Sequence, residues 1–206
     1  IEHNILQYRN LVEKKNLLMP VIKSNAYGHG FLEIANICNN SMRIDRICVV
    51  SDDEALELAD KLKINKPIMI LSFYELSKRK LLKLVKMNDK TEVIFPIYDW
   101  FQVRLLNRVG ESVGKKIKVH IKIDIGTSRI GICPKNAVDF LKKIIKFPFL
   151  EIEGIFGHFA STEENGGEYT KYQLDLYNKT IKDVEANGFN IKIKHLACSA
   201  AVVLHK

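Results

Sequence analysis

An α/β barrel of the TIM, (β/α)8, type, lacking about its last strand, is the fold that this 206-residue sequence predicts. Short apolar runs alternate strictly with stretches of helical periodicity, and the turns between them are short. Such alternation calls for parallel strands joined by helical crossovers, either as a doubly wound sheet or as a barrel. Seven strand-helix steps at this spacing favour the barrel, whose closed form has eight strands. The length suits one domain or at most two. Beyond the strand-helix rhythm there is no internal repeat, linker or low-complexity segment.

The elements follow in order. Ile5, Tyr8, Leu11 and Val12 stand at helical spacing over residues 3 to 15, leading into a short strand at Val21-Ile22 that ends at Lys23. A helix at about 31 to 38 directs Phe31, Ile34, Ala35 and Cys38 inward. Arg46 to Val50 reads as a buried strand, and Ser51-Asp52-Asp53-Glu54 as a capping box opening the next helix. Pro67 to Leu71 is a third strand, followed by a lysine-rich helix near 75 to 87. Glu92 to Ile97 is a fourth, after which Asp99 caps a helix bearing Trp100, Val103, Leu106 and Val109. Lys118 to Asp124 alternates apolar with polar residues and makes the fifth strand. A loop at 125 to 129 leaves it, and Pro134 suits the first turn of a helix reaching about Lys146. The sixth strand, Glu153 to His158, precedes a polar loop from Ser161 to Gly167. A long helix from Glu168 carries Tyr172, Leu176, Ile181 and Val184 and stops at Gly188. The seventh strand spans about Lys194 to Ala197.

Composition narrows the function classes. Hydrophobic residues at 47% and charged residues at 27% describe an ordinary globular protein. The net charge of +8, from 32 Lys and Arg against 24 Asp and Glu, could draw nucleic acid. The lysines are scattered along helices, however, and no aromatic-basic motif accompanies them, so nucleic acid is not the expected partner. Cys38, Cys48, Cys133 and Cys198 show no spacing of a zinc or redox site, and no metal is expected; free thiols point to a reducing, cytoplasmic setting. No apolar run has the length to cross a bilayer, and Ile1-Glu2-His3-Asn4 has neither region of a signal peptide. A start at Ile1 instead of methionine suggests a fragment or a start that has been removed.

In a barrel, ligands gather at the carboxyl ends of the strands. Lys23 stands at one such end, Asp124 and Arg129 near another, His158 at a third, and Cys198 and Ser199 at a fourth. A lysine there either carries its ammonium to water or, desolvated, forms a Schiff base with a carbonyl. Tyr27 can turn back toward the same pocket, and Gly28 and Gly30 let backbone approach an anion.

The stretch Lys23-Ser24-Asn25-Ala26-Tyr27-Gly28-His29-Gly30 resembles the pyridoxal-phosphate (PLP) signature of the alanine racemase family, with Ser24 in place of the usual alanine. Lys122 to Gly131 resembles the family's second signature, K-x-D-T-G-M-x-R-L-G, with Ile125, Thr127 and Ile130 departing from it. Gly154-Ile155-Phe156-Gly157-His158-Phe159-Ala160 resembles the sixth-strand motif, with Gly157 where threonine is common. His195 to Ala201 resembles H-x-A-N-S-A-A, with Cys198 at the asparagine position. Four motifs stand in family order, and the resemblance spans almost the whole chain.

The resemblance implies a PLP enzyme interconverting L- and D-alanine, supplying D-alanine for peptidoglycan. Lys23 would hold PLP as an internal aldimine and act as one of two bases. Tyr27 and Ser199 would bind the phosphate, Arg129 the phenolic oxygen and the substrate carboxylate side, and His158 would lie beside the cofactor. His195 would support the pyridine side, and Lys122 would be carbamylated to orient Arg129. Full-length members are longer homodimers. Their eighth strand, the arginine facing the pyridine nitrogen and the carboxyl-terminal β domain, which lends the partner a second catalytic tyrosine, are not located in these 206 residues. Two alternatives stand beside this reading: a racemase for serine or another small amino acid, and a PLP-binding module without turnover.

Overall fold

A computed structural model describes residues 1–72, 77–87, 91–163 and 167–204. Among them six parallel strands form one sheet in sequence order, β1 (Ile47–Val49), β2 (Ile68–Ile70), β3 (Val93–Ile97), β4 (Ile117–Lys122), β5 (Leu150–Phe156) and β6 (Ile193–His195). Each step between neighbours is a helical crossover: α4 (Asp52–Lys61), α5 (Lys78–Val85), α6 (Trp100–Val113), α7 (Ala137–Ile144) and α8 (Glu168–Ala186). α1 (Glu2–Leu11) and α3 (Phe31–Asn40) precede β1, and α9 (Ser199–Leu204) follows β6.

The first predicted strand is reduced to a bridge between Val21 and Cys48, held by Ile22 N–H on the Cys48 carbonyl and Cys48 N–H on the Pro20 carbonyl, each 2.9 Å. It lies beside β1 and brings the count of strand-like segments to seven. The predicted helix at 75 to 87 is seen over Lys78–Val85; positions 75 and 76, and residues 164–166 of the predicted polar loop, fall outside the described residues. No helix among the described residues is long and apolar enough to cross a membrane.

Two apolar layers flank the strands. The larger lies between sheet and helices: Ile47, Ile68, Val119, Ile121 and Ile155 from the strands meet Leu58, Leu106, Leu141 and Val184 from the helices. The smaller lines the inner side and holds Cys48, Met69, Ile94 and Phe156. Period-two alternation sends the polar half of β4, namely Lys118, His120 and Lys122, to that inner side, where His120 and Lys122 are buried. Between β4 and β5 the register slips by one residue, from Val119 opposite Ile152 to His120 opposite Gly154. The extra residue is Glu153, and the bulge turns both Glu153 and Gly154 toward His120.

Asp99 caps α6 as predicted, its Oδ1 accepting the Gln102 N–H at 2.9 Å. The capping box at α4 differs from expectation. Ser51 Oγ accepts the Glu54 N–H at 3.3 Å, but the Glu54 carboxylate turns away from Ser51 N–H to take the amides of Val50 and Ser24. In α8, Tyr172 is 57% exposed, and the buried stripe runs instead through Thr170, Gln173 and Tyr177 before Ile181 and Val184.

Candidate functional site

Lys23 opens α2 (Lys23–Tyr27), a single turn that is not right-handed. Ser24, Asn25, Ala26 and Tyr27 have φ of 53°, 57°, 51° and 55°. An L-residue in this region costs roughly 1–2 kcal/mol, so four in succession persist only because the surroundings hold them. Asn25 Oδ1 accepts the Phe31 N–H at 2.8 Å, the Asn25 carbonyl accepts Gly28 and Gly30 N–H, and Glu54 holds Ser24 N–H at 2.8 Å. Tyr27 is largely exposed, and its ring centre lies 5.9 Å from Lys23 Nζ.

The loop after β4 is organised by one carboxylate. Asp124 Oδ1 accepts Gly126 N–H and Ser128 N–H, both at 3.0 Å, and the Thr127 hydroxyl at 3.3 Å. Below it, Ile132 N–H on the Lys122 carbonyl (2.8 Å) and Asp124 N–H on the Ile132 carbonyl (2.9 Å) close the excursion. Arg129 is thereby carried, exposed, on a pinned loop. Thr127, at a position where the family pattern has methionine, adds one bond to that loop.

Lys122, Phe156 and His195 share one row of the sheet, since Lys122 pairs with Phe156 and Phe156 with His195. Lys122 Nζ lies 4.4 Å from the Phe156 ring centre, and His195 stacks on Phe156 with centroids 4.8 Å apart. Burial, reinforced by the Arg129 charge and opposed by Asp124, pulls the Lys122 ammonium down to about 8. Withdrawal from water lowers the His158 pKa, and the charges of Lys122, Arg129 and Lys23 lower it further. Four residues from three sequence motifs, Lys23, Lys122, Arg129 and His158, are thus electrostatic neighbours at the carboxyl ends of the strands.

Behind His195 runs a buried relay that no motif announced. Arg46 donates to Glu153 through both guanidinium nitrogens, at 2.7 and 2.9 Å. His120 Nε2 stands 3.0 Å from Glu153 Oε2, and His120 Nδ1 stands 2.9 Å from His195 Nε2. Burial alone would raise Glu153, but hydrogen bonds from His120 and Arg46 and the charge of Arg46 hold it well below the usual carboxylate range. Burial lowers the His120 pKa and keeps the ring neutral. The ionised carboxylate therefore takes the Nε2–H of His120, whose bare Nδ1 accepts from His195 Nε2–H, leaving His195 Nδ1 as an acceptor. Burial, with His120, Arg46 and Lys122 behind it, pushes His195 well below its ordinary value. Gly154 permits this packing, since a Cβ there would lie 2.4 Å from the His120 ring.

Ser199 is exposed at the start of α9, and Cys198 Sγ stands 3.2 Å from the Thr162 hydroxyl. The rims after β5 and β6 are thus joined at the position where the family pattern has asparagine. Arg46, His120 and Glu153 escaped sequence reading because their partners lie 33 to 107 positions apart. The one signal was a pair of strands with charged residues at inward-alternating positions.

Comparison with known proteins converges on one family. The family described as "Alanine racemase, N-terminal domain" matches residues 1–206. An alanine racemase of Methanococcus maripaludis is 37% identical over 206 residues, covering all of this chain and 53% of the relative. One from Clostridium tetani is 34% identical over 98% of this chain and 50% of its own length. A solved alanine racemase of Clostridium difficile 630 superposes with a TM-score of 0.88 at 31% identity, covering 98% of this chain and 54% of that one. The chain spans about half the length of these relatives. By sequence and by fold, the chain belongs to the alanine racemase N-terminal domain family.

Proposed function

We propose that this chain, residues 1–206 as one incomplete barrel domain, is the PLP-binding part of an alanine racemase that interconverts L- and D-alanine. The observation that carries the reading is that Lys23, Arg129, His158 and Ser199 follow neighbouring parallel strand segments at their carboxyl ends, beside the row of Lys122, Phe156 and His195. PLP suits these residues: a lysine for its aldehyde, and an arginine and hydroxyls for its anionic groups. Tyr27 and Ser199 would hold the phosphate, and His195 would face the pyridine side. When bound, the cofactor's conjugated ring withdraws the electrons left by removal of the substrate's α-proton.

The chain's own residues do the rest. Lys23 Nζ takes the α-proton on one face of the amino acid or returns it there. Arg129, permanently charged and forked, holds the substrate carboxylate side. Lys122, buried and drawn down to about 8, offers neutral amine at mildly alkaline pH; with CO2 it forms a carbamate and releases a proton, and the resulting anion braces Arg129. Racemisation needs a second base on the opposite face. The family resemblance assigns it to a tyrosine of a carboxyl-terminal domain in a homodimer, and assigns the D-alanine product to peptidoglycan supply.

The test is reduction with borohydride after adding PLP, with mass mapping of the modified peptide. Label is expected at Lys23 in the chain and at no residue in Lys23→Ala. Absence of label at Lys23 sinks the reading.

A further inference from the structure

Among the described residues, the Glu54 carboxylate is the one side chain outside the loop of residues 22–31 that the structure shows bonded to the amides of the left-handed turn. Its Oε1 accepts Ser24 N–H and its Oε2 accepts Val50 N–H, both at 2.8 Å. Ser24 is the first of the four positive-φ residues and follows Lys23 directly. Val50 follows the last residue of β1. Only the backbone N–H of Glu54 meets Ser51 Oγ, at 3.3 Å, so the carboxylate bonds are separate from the cap of α4.

We propose that Glu54 is a positioning residue for Lys23: its carboxylate ties the turn that begins after the lysine to the end of β1 and so sets the direction from which Nζ enters the site. The proposal rests on the reading of Lys23 as the PLP-bearing residue. The alternative role is helix capping alone, which the geometry disfavours because neither carboxylate oxygen bonds an amide of α4. A charged acceptor makes shorter and stronger bonds to amides than a neutral one. A carboxylate can also take two N–H groups with separate oxygens, whereas an amide side chain has one acceptor and turns an NH2 toward the second.

The test compares Glu54→Gln with Ser51→Ala, which weakens the cap of α4 without touching Ser24. Three quantities are measured on each: amide exchange at Ser24, the PLP dissociation constant with borohydride-trapped label at Lys23, and the thermal midpoint. In Glu54→Gln, Ser24 is expected to exchange at least about tenfold faster, and the PLP dissociation constant to rise about tenfold. In Ser51→Ala the midpoint falls while PLP binding stays within about twofold. Should Glu54→Gln fail to fold, Glu54→Asp keeps the charge but is one methylene short of spanning both amides, and a smaller rise in the same direction is expected. Unchanged PLP binding in the Glu54 variants, or equal weakening in Ser51→Ala, overturns the proposal while leaving the PLP reading intact. An unmutated chain that takes no label at Lys23 overturns both.

Discussion

At Gly157 a Cβ would lie 2.9 Å from Leu196 Cδ1 and 3.0 Å from Ile125 Cδ1. The family patterns place threonine at both 125 and 157; here the first is the larger isoleucine and the second has no side chain. The two departures are therefore one, an exchange of volume across the gap between the β4 loop and the end of β5. Gly157→Thr is expected to destabilise by about 1–3 kcal/mol through overpacking. Ile125→Thr alone should cost a similar amount, because it buries a hydroxyl and empties space at a position with no solvent exposure. The double variant should cost less than the two together by about 1 kcal/mol or more, measured by urea unfolding. Strict additivity would contradict the exchange.

Among elements, α8 does more than cover the sheet. Tyr169, Gln173 and Tyr177 stand one turn apart, and each reaches a backbone group of a strand end. Tyr169 donates to the Gly126 carbonyl at 2.8 Å and Tyr177 to the Ile155 carbonyl at 2.9 Å. Gln173 Oε1 accepts Ala160 N–H at 3.0 Å, while its Nε2 donates to the Ile125 and His158 carbonyls, each at 3.4 Å. One buried carboxamide thus joins the loop that carries Arg129 to the segment that carries His158. Gln173→Leu keeps the volume and removes every bond, so a loss of about 2–3 kcal/mol and faster exchange at Ala160 are expected. Stability within about 0.5 kcal/mol of the unmutated chain would show the clamp to be idle. Sequence periodicity pointed to Tyr172 on this helix and passed over Tyr169 and Gln173, because an apolar pattern cannot reveal a polar face that bonds to backbone.

For the whole molecule, acid is the weak condition. His120, His158 and His195 all bind protons less readily folded than at their ordinary value of 6.5. As pH falls through about 6.5 the unfolded chain takes up protons that the folded chain refuses, so stability declines. Glu153, lowered from 4.5, is held as an anion in the fold; the stability it contributes above that value is lost on further acidification. The thermal midpoint should fall steadily from pH 7.5 to 5, with a shallower slope in His195→Asn. A midpoint that is flat or rises over that range would refute the assignment of neutral imidazoles.

The order of elements was legible at this scale, because strand and helix periods differ and alternate cleanly. So were the rim residues, because four motifs carry them. The first strand was read as longer than its single bridge, since Val21 and Ile22 have β propensity whatever they pair with. The polar half of β4 was legible as an alternation, but its direction depends on which face of the sheet the helices cover, which no local pattern states. The bulge at Glu153 and the reach of Glu54 to Ser24 depend on register and on distance across the fold.

The relay from Arg46 through Glu153 and His120 to His195 has a further consequence. Both imidazoles point their hydrogens toward the carboxylate, so their dipoles align and the far nitrogen of His195 inherits part of the negative charge. Arg46 on the far side of the carboxylate offsets that charge in part, so what the rim meets is a neutral ring whose outer nitrogen accepts. A cationic donor meeting His195 would in effect be read by a glutamate two rings away, and substitution at Arg46, on the opposite side of that carboxylate, would alter the reading without changing any residue at the rim.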